Sequence, residues 1–430
     1  MRTKANVKWL VIAHCMNMDG QAASHHVSDK LPYLRKRGIE PILLSAASGC
    51  RDLNYEHHQV FSPAPSGLKF ELRHFIRKRV KSKFLGETIL GLLSLLVLPA
   101  YLLEKIVLPL DSQWSWFISS YLKAKQLAKI HKFECIYVLG GASSAFLAAH
   151  LTSRHSEVPF IAECFDPIIS TEWRRSKVAY KWNAWVEKVI SFHAKAVIWY
   201  TQGALNEARS RHSRLMEVGY LVRPGMTPPD FSEVSYDKGK QLRFCYFGGL
   251  SNERSLSDFL VALKSTLKTS PDLAEIIEVH TYGGKLDEQT QLASQNLPSG
   301  IFENHGRLEQ DPSSGKSGRQ RVLDEMRKAD FLILIHGTGE ICRLYIPSKT
   351  YEYIWAKRPI IAISPYPDEF RELLDEREHL IVQKDEQNDI KGAILEAVSK
   401  WTGSKCFDCE FTKPFSAEDA TERIIQFSCS

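Results

Sequence analysis

Short apolar runs alternate with amphipathic segments along most of the chain. Val7 to Ala13 reads as a buried strand, followed by a polar loop with Asp19 and Gly20, a helix from about Ala22 to Lys36 and, after Gly38, a second strand from Ile39 to Ser45. The same rhythm returns in strand Cys135 to Leu139, helix Ser143 to Arg154, strand Val158 to Glu163, a helix near Trp173 to Phe192 and strand Ala196 to Trp199. Strands separated by helices predict a parallel sheet, because a parallel neighbour needs a long crossover. The segment Arg223 to Phe231, with three prolines and a glycine, breaks the pattern, so a first domain over 1–222 and a linker over 223–240 are expected. Strands Leu242 to Phe247, Ile276 to Tyr282, Ile301 to Asn304, Phe331 to Ile335 and Ile360 to Ile363 then alternate with helices Leu256 to Leu267, Val322 to Lys328 and Thr350 to Ala356. The expected fold is α/β, with two Rossmann-like doubly wound domains facing across a cleft; the second covers 241–412. The polar loop 309–321 has no assigned role.

Residues 67–117 interrupt the first domain. Leu68, Leu72, Ile76, Val80 and Phe84 recur every four residues, with Phe75 alongside, which predicts one apolar helical stripe. The other faces carry Lys69, Arg73, Arg77, Lys78, Arg79, Lys81 and Lys83 against Glu71 alone. Thr88 to Leu103 are uncharged and mostly apolar, and as a helix would extend about 24 Å against a hydrocarbon core of about 30 Å. Pro99 interrupts that run. The pattern predicts a basic amphipathic helix and a short apolar hairpin lying in the interface of an anionic membrane; Trp114 and Trp116 are either interfacial anchors or core tryptophans. A buried hairpin with a solvated basic face and a true spanning helix are the alternatives.

The 430 residues exceed what one core usually holds, and 44% hydrophobic with 25% charged content excludes a fibrous or disordered chain. The formal charge of +6 is concentrated in the basic helix, so nucleic acid is not expected as a partner. Nine cysteines at irregular spacing imply reduced thiols in a cytoplasmic compartment. The pair Cys406 and Cys409 lacks the second pair that a zinc site would require. No apolar segment ending at a small-residue cleavage site follows Met1, so secretion is not expected.

Chemistry concentrates where strands of the second domain end. Phe247-Gly-Gly-Leu-Ser-Asn-Glu-Arg254 puts Gly248 and Gly249 at a strand exit, where backbone can approach a ligand, with Arg254 as a nearby cation. Tyr282-Gly-Gly-Lys285, with Gly283, closes another strand in the same way. Pro347-Ser-Lys-Thr-Tyr-Glu352 opens a helix in which Ser348 is the expected N-cap. The amides of Lys349 and Thr350 would then face pyrophosphate oxygens, and Glu352 ribose hydroxyls. Ordinary glycine turns and a capped surface helix are the bland alternative.

In order and spacing these segments resemble GT-B fold glycosyltransferases, in particular the large retaining family 4, many of which build bacterial surface polysaccharides. The resemblance covers most of the chain. Phe247 to Arg254 is similar to the family's Gly-Arg-Leu segment, and Tyr282-Gly-Gly to its second-strand Gly-x-Gly. Asn304 to Leu308, with Arg307, takes the place of the loop that receives the base. Pro347 to Pro359 resembles the helix ending Glu-Ala-Met-Ala-x-Gly-x-Pro, and Phe415 to Phe427 the closing helix (413–430) that returns to the first domain. Three departures stand out: Gly249 replaces an arginine, Leu344 stands in place of the first glutamate of the acidic pair, with Glu340 or Arg343 in that loop able to compensate, and Cys164-Phe-Asp-Pro167 replaces a common histidine.

The resemblance implies donor contacts from Gly248, Gly249, Arg254, Gly283, Arg307, Ser348, Lys349, Thr350 and Glu352. It makes Asp166 the candidate at the reaction centre, with Asp19 and Gly20 bordering the acceptor; a turn cap at Asp166 and an ordinary turn at Asp19 and Gly20 are the structural alternatives. It implies a retaining, metal-independent transfer without a cofactor, the nucleotide-sugar being substrate; no Asp-x-Asp triplet occurs. Expected partners are a nucleotide-sugar donor, a lipid-linked or glycan acceptor and the cytoplasmic face of an anionic membrane. A nonhydrolysing sugar-nucleotide epimerase and a catalytically silent membrane scaffold are the competing readings.

Overall fold

Runs rich in Val, Ile and Leu with both faces apolar suit strands covered on both sides, and the chain forms two such sheets. The structure, a computed structural model, describes residues 7–18, 22–80, 82–169, 176–232, 234–403 and 408–429. It divides into a unit of Met1–Thr227 with Phe415–Ser430 and a unit of Pro228–Pro414.

The first unit holds β1 (Val7–Ala13), β2 (Ile39–Ala46), β3 (His57–Val60), β4 (Phe133–Leu139), β5 (Phe160–Cys164), β6 (Ala196–Trp199) and β7 (Gly219–Leu221). They pair in parallel in the order β3-β2-β1-β4-β5-β6-β7, with Val11 beside Leu43 on one flank and Tyr137 on the other. Trp9, Val11, Ile161 and Ile198 are buried together with Ala420 and Ile424. The C-terminal helix Ala417–Cys429 is therefore part of this unit's core, tied by the Met226 amide to the Phe415 carbonyl at 3.2 Å. The second unit holds β8 (Leu242–Phe247), β9 (Ile277–Tyr282), β10 (Phe302–Gly306), β11 (Phe331–Ile335), β12 (Ile360–Ser364) and β13 (Leu380–Gln383), in the order β10-β9-β8-β11-β12-β13. Both orders reverse direction beside their first strand, which makes a crevice at the carboxyl ends of the strands on either side. In the second unit that point lies between β8 and β11.

The insertion comprises helices α1 (Pro65–Arg79), α2 (Lys83–Val107) and α3 (Trp116–Ala128). The expected Pro99-broken hairpin is corrected: α2 is one continuous 25-residue helix with Pro99 inside it. Pro99 forfeits one helical hydrogen bond, but helix-forming leucines on both sides carry the helix through, and no turn-forming residue stands there to end it. The hairpin is instead α1 against α2. Arg77 pairs with Glu87 at 2.9 Å near the turn. At the other end the Glu104 carboxylate accepts from the Ser66 amide at 2.8 Å and the Trp114 indole at 2.7 Å. Phe84–Val107 is long and apolar enough to cross a membrane by length and composition, and little of it is buried.

The basic helix α1 is pinned from within. Glu71, which the sequence offers as its one acid, is fully buried, accepts from the Ser62 amide at 2.7 Å and pairs with buried His14 at 3.4 Å. Desolvation opposes a charge on His14, but hydrogen bonds and charge from Cys15 and Glu71 win and raise its pKa to about 9. A lone charge at either position would be costly, so the pair fixes α1 to the end of β1. The expected anchor Trp116 is completely buried beside His14, with ring centroids 5.2 Å apart, and is a core residue.

Candidate functional site

Two places gather the chemistry, one in each unit. In the second unit it is the switch point. Gly248, directly after β8, adopts φ +109°, a conformation strained for any other residue. A Cβ on Gly283, after β9, would lie 2.3 Å from the Gly248 carbonyl oxygen. The two exits thus touch backbone to backbone, and side chains are excluded there.

The chain passes through α4 (Ser143–Ser156), α5 (Lys177–His193), α6 (Ser257–Thr269) and α7 (Gly318–Lys328) before helix α8 (Lys349–Trp355), which supplies the next layer. Its Tyr353 hydroxyl accepts from the Phe247 amide at 3.1 Å and donates to the Ile333 carbonyl at 3.2 Å, stitching β8 to β11. One turn earlier, the Lys349 ammonium donates to the Phe247 carbonyl and, at 3.2 Å, to the Tyr246 hydroxyl, which donates to the Gly249 carbonyl at 3.1 Å. Burial, with the Arg254 charge added, pulls Lys349 down to about 7 against a partial counter-pull from Glu352. Arg254 stands in a tight turn closed by its amide to the Ser251 carbonyl at 2.8 Å. The turn carrying Arg254, the Gly248 exit and the start of the Glu352 helix therefore converge electrostatically on Lys349.

His336, at the β11 exit, was not among the residues singled out from sequence. It is fully buried; its Nδ1 accepts from the Gly337 amide at 2.9 Å and its Nε2 donates to the Tyr345 carbonyl at 3.0 Å. Burial, reinforced by the Arg254 and Lys384 charges and only partly offset by hydrogen bonding to the Tyr345 and Cys342 backbone, lowers its pKa to about 4. A neutral ring thus holds the loop 336–346 in shape.

Other expectations fare differently. Ser348 occupies the expected cap position but in helical conformation, and its side chain makes no capping bond. The Thr350 amide donates to the Pro347 carbonyl at 2.9 Å, so the expected outward-facing amide at Thr350 is corrected. The reason is local: a tight turn after Pro347 consumes the donor that a side-chain cap would have left for a ligand. Glu352 lies 3.9 Å from Arg319. Arg307 is 62% exposed beside Glu309, on a loop whose neighbour His305 stacks on Tyr282 at 4.5 Å. Asp19, Gly20, Lys81 and the Cys406 half of the cysteine pair lie outside the described residues, as does the side chain of Lys83.

The first unit carries a cavity of about 320 Å³ at the carboxyl ends of β4 and β5. Gly140 to Ser143 at the start of α4, Cys164 to Ile168 after β5, Asn183 of α5, and Asp111, Gln113 and Trp114 line it. Asp166 is open to solvent, yet lies in a concavity whose walls displace its hydration and raise its pKa above the ordinary carboxylate value. Asn183 is 3% exposed, and its Oδ1 has no hydrogen-bond partner among the described residues. Behind the loop, buried Glu163 accepts from Lys30 at 2.9 Å and from the hydroxyls of Tyr137 and Tyr200. That network fixes the strand end from which Asp166 emerges. Nothing in the local sequence of Asn183, mid-helix, marks it for this position.

No family model matches the chain, and no curated protein matches it in sequence. Solved structures match it in shape. Anabaena HepE in complex with UDP is similar with a TM-score of 0.60 at 13% identity, over 98% of this chain and 99% of that one. The lipopolysaccharide outer core galactosyltransferase WaaB in its apo form gives 0.54 at 13%, over 98% and 95%. The UDP-GlcNAc 2-epimerase from Methanocaldococcus jannaschii gives 0.53 at 10%, over 98% and 99%. The likeness does not single out family 4. At such identities it is one of architecture: this chain has the two-sheet α/β arrangement of the GT-B fold.

Proposed function

We propose that the chain is a glycosyltransferase moving a sugar from a nucleotide-sugar donor to a lipid-linked glycan acceptor at the cytoplasmic face of a membrane, in polysaccharide biosynthesis. The convergence of Arg254, Lys349 and the side-chain-free exits at Gly248 and Gly283 carries the reading. It is supported by the names of two fold relatives, HepE, solved with UDP and with UDP-glucose, and the galactosyltransferase WaaB.

As the glycosidic bond breaks, negative charge grows on the departing diphosphate. Arg254 and Lys349 are two cations able to neutralise it without a metal, and preorganised charge of this kind is a large catalytic term. Glu352 accepts from ribose hydroxyls. Asp166, whose raised pKa suits proton handling, orients the acceptor hydroxyl and takes its proton. Attack from the side of departure retains configuration, as the family 4 resemblance implies.

A thermal-shift panel of UDP-, GDP- and CDP-sugars on detergent-extracted protein tests the donor. A cognate sugar nucleotide at a hundred times its Kd stabilises by about 2.7 kcal/mol; silence from all of them refutes the proposal. The likeness to the archaeal epimerase favours a second reading, isomerisation of the donor. Donor isomerisation without any acceptor would establish that reading over transfer.

A further inference from the structure

Beside α1 and α2 lies a groove of about 530 Å³ that the donor chemistry leaves unused. Lys69, Arg73 and Arg77, four residues apart, form its α1 wall; Gly91, Ser94 and Tyr101 on one face of α2 form the other. Lys69 sits over the Tyr101 ring at 4.9 Å. Glu87 also lines the groove and pairs with Arg77, so three cations and one carboxylate leave two positive charges. Burial, together with the Arg73, Lys78 and Arg77 charges, holds neighbouring His74 below its ordinary pKa, in keeping with a net positive field.

The opposite face of α2 is bare and apolar. Leu92, Leu95, Leu96, Leu102, Leu103 and Ile106 are each at least half exposed, the most covered of them at 50%. A cationic groove backed by an exposed apolar helix matches a molecule with an anionic head and a long hydrocarbon tail. A phospholipid diester brings one negative charge, whereas a diphosphate ester brings about two or more at neutral pH, which answers the groove's balance. Position favours the same occupant. Ser112 lines the groove, while Asp111, Gln113 and Trp114 line the Asp166 cavity, so one short loop is the wall between them.

We propose that this groove seats the diphosphate of the lipid-linked acceptor, with the lipid tail along the exposed face of α2 and the glycan directed past residues 111–114 toward Asp166. The proposal rests on the transferase reading for its acceptor, but its own test is independent of turnover. The full chain is sedimented with phosphatidylcholine vesicles doped with farnesyl diphosphate, or with phosphatidylglycerol at equal total charge, and with free pyrophosphate as competitor. Retention on the diphosphate vesicles is expected to be about tenfold tighter than on the phosphatidylglycerol vesicles, as charge-assisted contacts to one head group imply. Arg73→Gln with Lys69→Gln should erase that preference. So should Gly91→Leu, which adds bulk to a groove-lining position where a Cβ meets nothing within 4 Å.

Equal retention on both vesicle types, or variants that keep the preference, would overturn the proposal. Complete displacement by an equimolar amount of free pyrophosphate would overturn the lipid part and make this a soluble-phosphate site. The sugar-nucleotide thermal shift, measured on the same variants, should be unchanged. A preference that survives where no sugar nucleotide shifts the wild type sinks the transferase reading and leaves the groove; the reverse pattern sinks the groove alone.

Discussion

Lys349 makes the donor site sensitive to pH in a range where lysine is ordinarily silent. Its ammonium is desolvated against the Phe247 carbonyl and repelled by Arg254, and titrates at about 7 instead of 10.5. A bound diphosphate adds negative charge beside it and restores the proton, so binding takes up a proton wherever the unliganded group has lost one. With a pKa of about 7, the protonated fraction is about one half at pH 7 and about a tenth at pH 8. Affinity for the cognate sugar nucleotide should then fall about tenfold per pH unit above 7.

Isothermal titration from pH 6.5 to 9, in buffers of differing ionisation enthalpy, reads both the slope and the proton uptake. Uptake should rise from about half a proton at pH 7 toward about one near pH 8.5. The stability of the unliganded chain should move the opposite way. Its folded pKa lies below the unfolded one, so the unfolded chain holds the extra proton between about 7 and 10.5, and this group's contribution to stability rises with pH across that window. Lys349→Gln should bind weakly with no pH slope. A flat affinity from pH 7 to 9 in wild type, with no proton uptake, would refute the assignment of Lys349 to the diphosphate.

Arg254→Ala should weaken sugar-nucleotide binding by about 1.5–3 kcal/mol, the worth of a hydrogen bond to a charged group, with the unliganded melting temperature nearly unchanged; Glu352→Gln should act in the same direction. Unaltered function in both variants would favour the silent scaffold. Lys30→Met should strand the Glu163 charge in the first unit's interior and cost about 3–5 kcal/mol of stability, read by denaturant unfolding. Adding Glu163→Gln should recover part of that loss, and an additive further loss would show that the pair does not act as one.

Much of this protein is legible in one dimension. Strands such as Val7–Ala13 and Phe331–Ile335 declare themselves because burial on both faces demands continuous apolar runs. The glycines after Phe247 and Tyr282 mark strand exits, because no other residue tolerates φ +109° or a neighbouring carbonyl at 2.3 Å from its Cβ. The basic and apolar halves of the insertion are equally plain in the charge pattern. Short edge strands such as β3 and β13 escape notice, since four residues carry too little periodicity to stand out.

What the chain's order conceals is which distant residues share a place. The sequence offers Lys349 as a donor contact at a helix start, but its lowered pKa arises only where the sheet order β9-β8-β11 brings Phe247 and Arg254 beside it and strips its water. Asn183 becomes the wall of a cavity, and Ser112 part of the partition between two, because loops and a helix face far apart in sequence meet at the carboxyl ends of β4 and β5. Periodicity records whether a position is covered. What covers it, and so which charges and hydrogen-bond donors meet there, is decided by tertiary packing.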